Sequence, residues 1–194
     1  MSGIWPGETQ CVVLLGFDVD GVSSWLNRDP SYAYHPSLMS MAEYGPSVAT
    51  PRILDMLEAH GIPASFYVPG YVAETHEDMV REIARRGHEI AHHGYMHEPP
   101  SSLTREREID VIESGIRILS GITGEKPLGY RSPSWELSEH SLEILTEHGF
   151  IYDSSLMGDD APYIVDSPAN GKTIVELPIH WLLDDAPNFV YAPV

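Results

Sequence analysis

The chain has 194 residues, 42% of them hydrophobic, and its 29 acidic and 11 basic side chains give a net charge of −18. This length and composition predict one globular domain over residues 1–194 and exclude a disordered chain. The charge disfavours nucleic acid and anionic membrane surfaces as partners, because both are negatively charged and would repel the protein.

The first predicted element is a continuous apolar strand over Val12–Phe17. Cys11, the only cysteine, opens this strand, and we expect it to be a small core residue and not a nucleophile. Before it, Met1–Gln10 lacks the basic start of a signal peptide, and no apolar run approaches the ~20 residues that cross a bilayer. We therefore expect a cytoplasmic protein with no membrane partner.

A long segment, Gly21–Gly45, follows and is rich in Ser, Tyr, Pro and Met. It predicts a functional loop, because loops of this length are uncommon in compact domains unless they serve binding or catalysis. Its tyrosines and Trp25 can stack on a sugar or on a flat imide, or they can be packing residues.

The rest of the chain repeats one unit, a helix closed by a glycine and followed by a short apolar strand. Helices are predicted to begin near Thr50, Thr75, Thr104 and Ser138, and to end at Gly61, Gly87, Gly121 and Gly149. The predicted strands after them are Ala64–Val68, His88–His92, Leu128–Tyr130 and Phe150–Tyr152, with a last strand at Ile174–Leu177.

Strands that alternate with helices pair in parallel, so this pattern predicts an α/β fold. Six strands favour a (β/α) barrel, irregular or incomplete, and an open doubly wound sheet is the competing architecture. No G-x-G-x-x-G follows a strand, so the dinucleotide-binding version of that sheet is disfavoured.

The unusual polar residues lie just after the predicted strands. The carboxyl ends of parallel strands share one edge of the sheet, and active sites gather there. We therefore expect residues that are distant in sequence to meet at this edge: Asp18, Asp20, His92, His93, His97, Arg131 and Asp153.

His93 and His97 are four residues apart and can present their imidazoles side by side. With a carboxylate from another strand end, they form a set of two histidines and one acid that suits zinc and other divalent metals. A loop of solvated histidines is the alternative for this spacing alone, but the position after a strand and the nearby acid pair favour a metal site.

Asp18 and Asp20 point the same way in an extended segment, because side chains alternate. Two close carboxylates repel each other unless a cation lies between them or one of them is protonated. One aspartate can hold a metal while the other takes a proton from the attacking water. An Asx turn before Gly21 is the alternative explanation of this pattern.

Three segments resemble, in order and spacing, the first three motifs of the polysaccharide deacetylases, the NodB-homology group also called carbohydrate esterase family 4: Phe17–Gly21, His93–His97 and Arg131–Trp135. The resemblance covers residues 11–185 and implies an irregular (β/α) barrel with a divalent metal. The metal is expected to be Zn²⁺, with Co²⁺, Mn²⁺ or Ni²⁺ as alternatives.

The resemblance also implies roles for particular residues. By motif position, Asp18 is the general base, Arg131 orients it, Trp135 lines the site, and the metal ligands are Asp20, His93 and His97. The downstream residues resemble a subgroup of peptidoglycan-deacetylase-like, allantoinase-like and cyclic imide hydrolase proteins. We expect substrate contacts from Tyr71, Trp135, Trp181 and Asp184, and an oxyanion contact from a backbone N–H near Gly70 or Tyr71.

Two departures from the family pattern affect these expectations. Val19 separates two acids that are adjacent in many members. The late histidine that acts as general acid in the family is missing after Trp181, so we expect a chain truncated at its C-terminus or lacking this acid. The candidate substitutes, each better explained as a surface or structural residue, are His140, His148 and His180.

The sequence therefore predicts a metal-dependent hydrolase of non-peptide C–N bonds that removes the acetyl group from an N-acetylated sugar or glycan. Hydrolysis of a small cytosolic cyclic imide or amide is the first alternative. A catalytically impaired, metal-bearing binding module is the second. The prediction leaves open whether the protein forms a homo-oligomer.

Overall fold

The computed structural model describes Thr9 and residues 11–189. All of Met1–Gln10 except Thr9 lies outside the described residues, as do the last five residues of the predicted domain. Among the described residues, none of the helices has the length and apolar character that crossing a membrane requires.

The described residues form one seven-stranded sheet in the order β1-β2-β3-β4-β5-β7-β6. All neighbouring strands pair in parallel except β6 and β7, which are antiparallel. The strands are β1 Gly16–Asp18, β2 Ser65–Val68, β3 Glu89–His92, β4 Gly129–Tyr130, β5 Tyr152–Asp153, β6 Tyr163–Asp166 and β7 Thr173–Glu176. The predicted α/β fold with a mostly parallel sheet is confirmed, but β6 was not predicted.

Helices connect the parallel strands, as the repeated sequence unit predicts. They are α1 Ser23–Arg28, α2 Pro36–Tyr44, α3 Thr50–His60, α4 Gly70–Thr75, α5 Glu77–Arg85, α6 Arg105–Thr123, α7 Ser141–Glu147 and α8 Ala186–Phe189. Thr104 caps α6 as expected, since its hydroxyl accepts a hydrogen bond from the Arg107 amide. Gly61 ends α3 with a φ of 62°, a left-handed conformation that glycine adopts without steric cost.

Several predicted helix ends are wrong. Thr50 does not cap α3, because a π-helical turn at Gly45–Ala49 leads directly into the helix. Thr75 ends α4, and α5 begins after His76. At the other end of α6, Gly121 is helical and Gly124 adopts the left-handed turn. The fourth predicted helix begins at Ser141 and not at Ser138, whose hydroxyl accepts a hydrogen bond from the His140 amide.

The predicted first strand is also misplaced. Strand β1 begins at Gly16, and the apolar residues Val12–Leu15 before it are exposed, with Val13 at 76%. Cys11 is exposed and not a core residue. Among the described strands, β1 lies at the end of the sheet order and pairs with β2 alone.

The segment between Gly21 and Gly45 is not one long loop. It folds into α1, a 3₁₀ turn at Pro30–Tyr34, and α2, and a proline stands at the start of each of the last two. Proline suits these positions because its fixed φ matches a helix and its missing N–H is not needed there. The rings of Trp25 and Tyr32 pack edge to face at 6.1 Å, which favours the packing interpretation for these two.

Helices α3 to α7 pack on one face of the sheet. Phe66 and Val68 of β2 lie in a core with residues of α3, α4, α5 and α6. A second cluster joins α6 and α7 to β4 and β7. The side chain of Tyr67, between Phe66 and Val68, points to the opposite face of the sheet and lies with Ala91 and Tyr152 in a separate cluster. Because β1 to β5 pair in parallel, the side chains that follow these strands meet at one edge of the sheet.

Candidate metal centre

Asp20, His93 and His97 form a compact cluster at the carboxyl edge of the sheet. Asp20 Oδ1 lies 3.4 Å from His93 Nε2, and Asp20 Oδ2 lies 3.2 Å from His97 Nε2. One ligand atom from each residue falls within 4.8 Å of the other two. The structure thus brings together the three ligands implied by the sequence, which come from the ends of β1 and β3.

The turn after β3 holds the two histidines at this spacing. Gly94 has a φ of 73°, and His97 has a φ of 62°, which is uncommon for a residue with a side chain. Glu98 Oε2 accepts hydrogen bonds from the backbone amides of Tyr95 and Met96, and Asn27 donates to the His97 carbonyl. These contacts oppose relaxation of the strained His97 backbone, so the ligand position is set before any ion binds.

The donor atoms fit a divalent cation. His93 Nδ1 lies 2.8 Å from the Arg131 carbonyl, so this nitrogen carries the hydrogen and Nε2 offers its lone pair toward Asp20. Asp20 Oδ1 is buried and accepts no hydrogen bond from a described residue. Two imidazoles with one carboxylate and an open position form the ligand set of catalytic zinc sites.

The electrostatics of the cluster agree with this fit. Burial opposes ionisation of Asp20, but the charges and contacts of His97 and His93 hold its pKa well below the usual range. Burial likewise opposes protonation of His97, but Asp20 raises the pKa of this imidazole. The carboxylate form that binds a cation is therefore the stable form of Asp20.

Asp18 has a different partner from Asp20, although only Val19 separates them. Asp18 Oδ1 accepts a hydrogen bond of 2.7 Å from Arg131 Nη1. Val19 is 5% exposed and belongs to the hydrophobic core, so the two acids project from one side of the chain and Val19 from the other. The alternation expected from the sequence places both acids beside the histidines.

Arg131 is held on several sides. Its Nε donates to the Ser154 carbonyl at 3.0 Å, and its Nη2 donates to the Ser154 hydroxyl at 2.9 Å. The guanidinium carbon lies 3.9 Å from the centre of the Tyr67 ring, a cation–π distance. A guanidinium fixed in this way presents Nη1 to Asp18 in one orientation.

The expected backbone contribution to the oxyanion site is wrong. The Gly70 amide donates to the Gly94 carbonyl and the Tyr71 amide donates to the Tyr95 carbonyl, each at 3.0 Å. Both groups are already used to dock the start of α4 onto the turn that carries the histidines. An amide in such a bond is not free to receive developing charge.

The expected substrate-binding residues lie in two places. The rings of Trp135 and Trp181 stack with centres 4.2 Å apart, and Trp181 is half-exposed. Asp184 ends the turn that begins at Trp181, and burial, with a contribution from the charge of Asp18, raises the pKa of its carboxyl group. Tyr71 instead packs edge to face on Tyr95, at 6.4 Å.

The remaining histidines considered from the sequence have structural surroundings. His92 is fully buried, accepts a hydrogen bond from the Gly94 amide and faces the Ile112 carbonyl, and burial lowers its pKa to about 3. His148 ends α7 and pairs with Glu113. His140 precedes α7, and exposed His180 accepts a hydrogen bond from the Leu182 amide in its own turn.

Sequence reasoning missed several residues that support the site. Ser154 and Ser155 follow β5 directly, and Tyr67 lies in β2. The rule that identified Asp153, a polar residue just after a strand, also applies to the two serines. No comparable signal marks Tyr67, because a tyrosine in a strand is usually a packing residue.

Comparisons with known proteins give one consistent family. The family model described as polysaccharide deacetylase matches residues 35–152, a range that includes both histidines and Arg131. A peptidoglycan deacetylase of Helicobacter pylori is 33% identical over 206 residues, covering 94% of this chain and 69% of that protein. A peptidoglycan deacetylase-like protein of Gibberella zeae is 27% identical and covers 98% of this chain and 64% of its own length.

Solved structures show the same fold. A Mycobacterium smegmatis protein assigned to the polysaccharide deacetylases superposes with a TM-score of 0.90 and 44% identity, over 94% of this chain and 63% of that one. A PuuE allantoinase superposes with a TM-score of 0.78 and 26% identity, over 91% of this chain and 64% of that one. The chain thus spans about two thirds of the length of these similar proteins.

Proposed function

The chain belongs to the polysaccharide deacetylase family, and we propose that it is a metal-dependent hydrolase that removes the acetyl group from an N-acetylated sugar of a glycan. One observation carries this proposal. Two acids separated by one residue have separate partners, Asp18 with Arg131 and Asp20 with the histidine pair. In the proposed scheme, Asp20 holds a cation and Asp18 accepts a proton, and the separate partners support this division.

The proposed ligands are Asp20, His93 and His97. A divalent cation bound by them supplies Lewis acidity, which polarises an amide carbonyl and makes a nearby water more acidic. Zinc is the proposed ion, because neutral imidazole nitrogens and one carboxylate are its usual ligands in catalytic sites.

Asp18 is the proposed general base. Its Oδ1 accepts a hydrogen bond from Arg131, and the carboxylate lies beside the histidines without a hydrogen bond to them. In this position the carboxylate is able to take a proton from the attacking water. Arg131 keeps the carboxylate in one orientation, because its other nitrogens are fixed by Ser154. A general base held in this geometry loses little orientational entropy during the reaction.

The stacked tryptophans support a sugar substrate. Trp135 and Trp181 offer a partly exposed aromatic surface next to the turn of Asp184. Aromatic faces pack against the C–H groups of a sugar ring, and a nearby acid can accept hydrogen bonds from its hydroxyl groups. The peptidoglycan deacetylase names among the relatives favour the same class of substrate.

A second candidate substrate is a small cyclic amide or imide. The likeness to an allantoinase over 91% of this chain is the observation that favours it. Both substrates require attack on an amide carbonyl, so the same base and ligands would serve either one.

The test is turnover on a panel with defined metal content. The chelator-treated protein, reconstituted with Zn²⁺, Co²⁺, Mn²⁺ or Ni²⁺, is assayed on N-acetylglucosamine oligomers, on peptidoglycan fragments and on allantoin and cyclic imides. Acetate release from the oligomers that depends on added metal supports the proposal. Turnover of the cyclic compounds alone would replace it with the second candidate, and equal turnover with and without chelator would contradict both.

A further inference from the structure

Two buried acids that the proposed mechanism does not use lie next to the site. Asp153 ends β5 and Glu176 ends β7, and the two are direct partners in the parallel pairing of these strands. Both are fully buried, with 0% exposure. Two ionised carboxylates this close in a buried place would be destabilising, because solvent does not reach them to offset their repulsion.

The hydrogen bonds leave one oxygen of each acid without a donor. Asp153 Oδ1 accepts from the Ser155 hydroxyl at 2.7 Å. Glu176 Oε1 accepts from the amides of Ser155 and Leu156, at 3.0 and 2.9 Å. Asp153 Oδ2 and Glu176 Oε2 are buried and receive no hydrogen bond from a described residue. A proton held between these two oxygens would satisfy both atoms at once.

We propose that Asp153 and Glu176 share one proton between Oδ2 and Oε2, and that this pair is a positioning element for Arg131. The second part rests on the proposed function, in which Arg131 orients the base Asp18. The shared proton leaves the pair with a single negative charge and joins the ends of β5 and β7 by a short hydrogen bond.

The connection from the pair to Arg131 is continuous. Glu176 fixes the backbone of Ser155, and the Ser155 hydroxyl links Asp153 to the amide of Ser132, at 2.9 Å. The residue between these anchors, Ser154, supplies the two hydrogen bonds that hold the guanidinium of Arg131. The turn Asp153–Leu156 is therefore clamped on both sides of the atoms that position Arg131.

The charged groups around the pair agree with one shared proton. Burial, followed by the negative charge of Asp153, raises the pKa of Glu176 from 4.5 to about 9, and burial raises that of Asp153 from 3.8 to about 6. The charge of Arg131 acts on Asp153 and lowers its pKa, but less than burial raises it, and Tyr130 and Tyr163 also lie near the pair. Burial raises the pKa of both tyrosines above 10, so the carboxyl groups are the ones that titrate between pH 4.5 and 9.

The raised pKa of Glu176 makes the stability of the fold depend on pH. Below pH 4.5 Glu176 is protonated in the folded and the unfolded chain. As the pH rises toward 9, the unfolded chain releases this proton and the folded chain keeps it, so stability falls with rising pH. Glu176→Gln, whose amide stays neutral and can donate to Asp153 Oδ2, should remove this loss.

The first experiment measures the thermal unfolding midpoint from pH 5 to pH 8.5 for the wild type, Glu176→Gln and a control, Glu108→Gln. Glu108 is also a buried acid, but both its oxygens accept from serine hydroxyls, those of Ser138 and Ser141. We expect the midpoint of Glu176→Gln to rise relative to the wild type as the pH increases, and the control to follow the wild type. Parallel curves for the wild type and Glu176→Gln would overturn the shared proton.

The second experiment tests positioning with kcat, KM and metal content. Glu176→Leu removes the oxygen that accepts from the Ser155 and Leu156 amides, and it removes the shared proton. We expect this change to displace Arg131 and to lower kcat by roughly 10²-fold, with KM and metal content unchanged. Glu176→Gln should recover most of that loss, and Glu108→Gln should leave kcat unchanged. A loss in Glu176→Leu that follows only the folded fraction would overturn the positioning role. Because the unfolding measurement needs no substrate, it stands even where the proposed activity fails.

Discussion

Two pairs of acids lie at the carboxyl edge of the same sheet, and the groups that surround each pair differ. Asp18, the last residue of β1, faces a guanidinium, and Asp20, two residues later, faces two imidazoles. Asp153 and Glu176, at the ends of β5 and β7, face each other in a fully buried place. The comparison teaches that contacts with two imidazoles lower the pKa of Asp20 in the first pair despite its burial, whereas burial raises the pKa of both acids in the second pair.

We expect the largest effect from removing Asp20, the proposed metal ligand of the first pair. In Asp20→Ala we expect metal content to fall to background after dialysis and turnover to fall by about 10³-fold or more, since a Lewis acid contributes several kcal/mol to the transition state. Metal analysis and acetate release measure both effects. The control is Asp110→Ala, which removes an exposed acid of α6 that pairs with Arg107. Full metal content in Asp20→Ala would contradict the ligand assignment.

Changing the proposed base should separate metal binding from turnover. Asp18→Asn keeps the shape of the side chain but cannot accept the proton, so we expect full metal content with kcat reduced by roughly 10²–10⁴-fold. Kinetics and metal analysis of the same sample test this. Asp166→Asn, on the exposed edge strand β6, is the matched control. An Asp18→Asn protein with normal kcat would place the base elsewhere.

Replacing the guanidinium should have a smaller effect. Arg131→Lys keeps one positive charge but loses the planar group that contacts Asp18 and Ser154 together, so we expect kcat to fall on the order of 10²-fold with metal retained. The control is Arg105→Lys, in an ion pair between α6 and α7. If both variants behave alike, orientation of the base is not the role of Arg131.

We expect the smallest effect from a change at Ser155, whose hydroxyl links Asp153 to the amide of Ser132. Ser155→Ala leaves the Ser132 amide without its acceptor and Asp153 Oδ1 without its hydroxyl donor. We expect a loss of about 1–3 kcal/mol in the free energy of unfolding, the usual cost of a buried unpaired polar group. Urea unfolding measures it, with Ser102→Ala at an exposed turn as the control. A loss no larger than that of the control would show that the link contributes little.

The parts of the fold that depend on local patterns were predictable. The helices that end at Gly61 and Gly149, the cap at Thr104 and the strand at Ser65–Val68 each follow from a few neighbouring residues. The cluster of Asp20, His93 and His97 was predictable too, because parallel strands deliver the residues after them to one edge. The start of β1 was not predictable, because the apolar run Val12–Leu15 does not show that these residues are exposed and precede an edge strand.

The sequence by itself determined which residue types stand after which strands, and therefore the candidate ligands and base. Only the tertiary structure decided their partners: the Gly70 and Tyr71 amides are used in docking α4, and Asp153 lies opposite Glu176. The physical reason is that local sequence fixes the direction of a side chain, whereas a hydrogen bond or a shared proton depends on which distant segment the packing places opposite it.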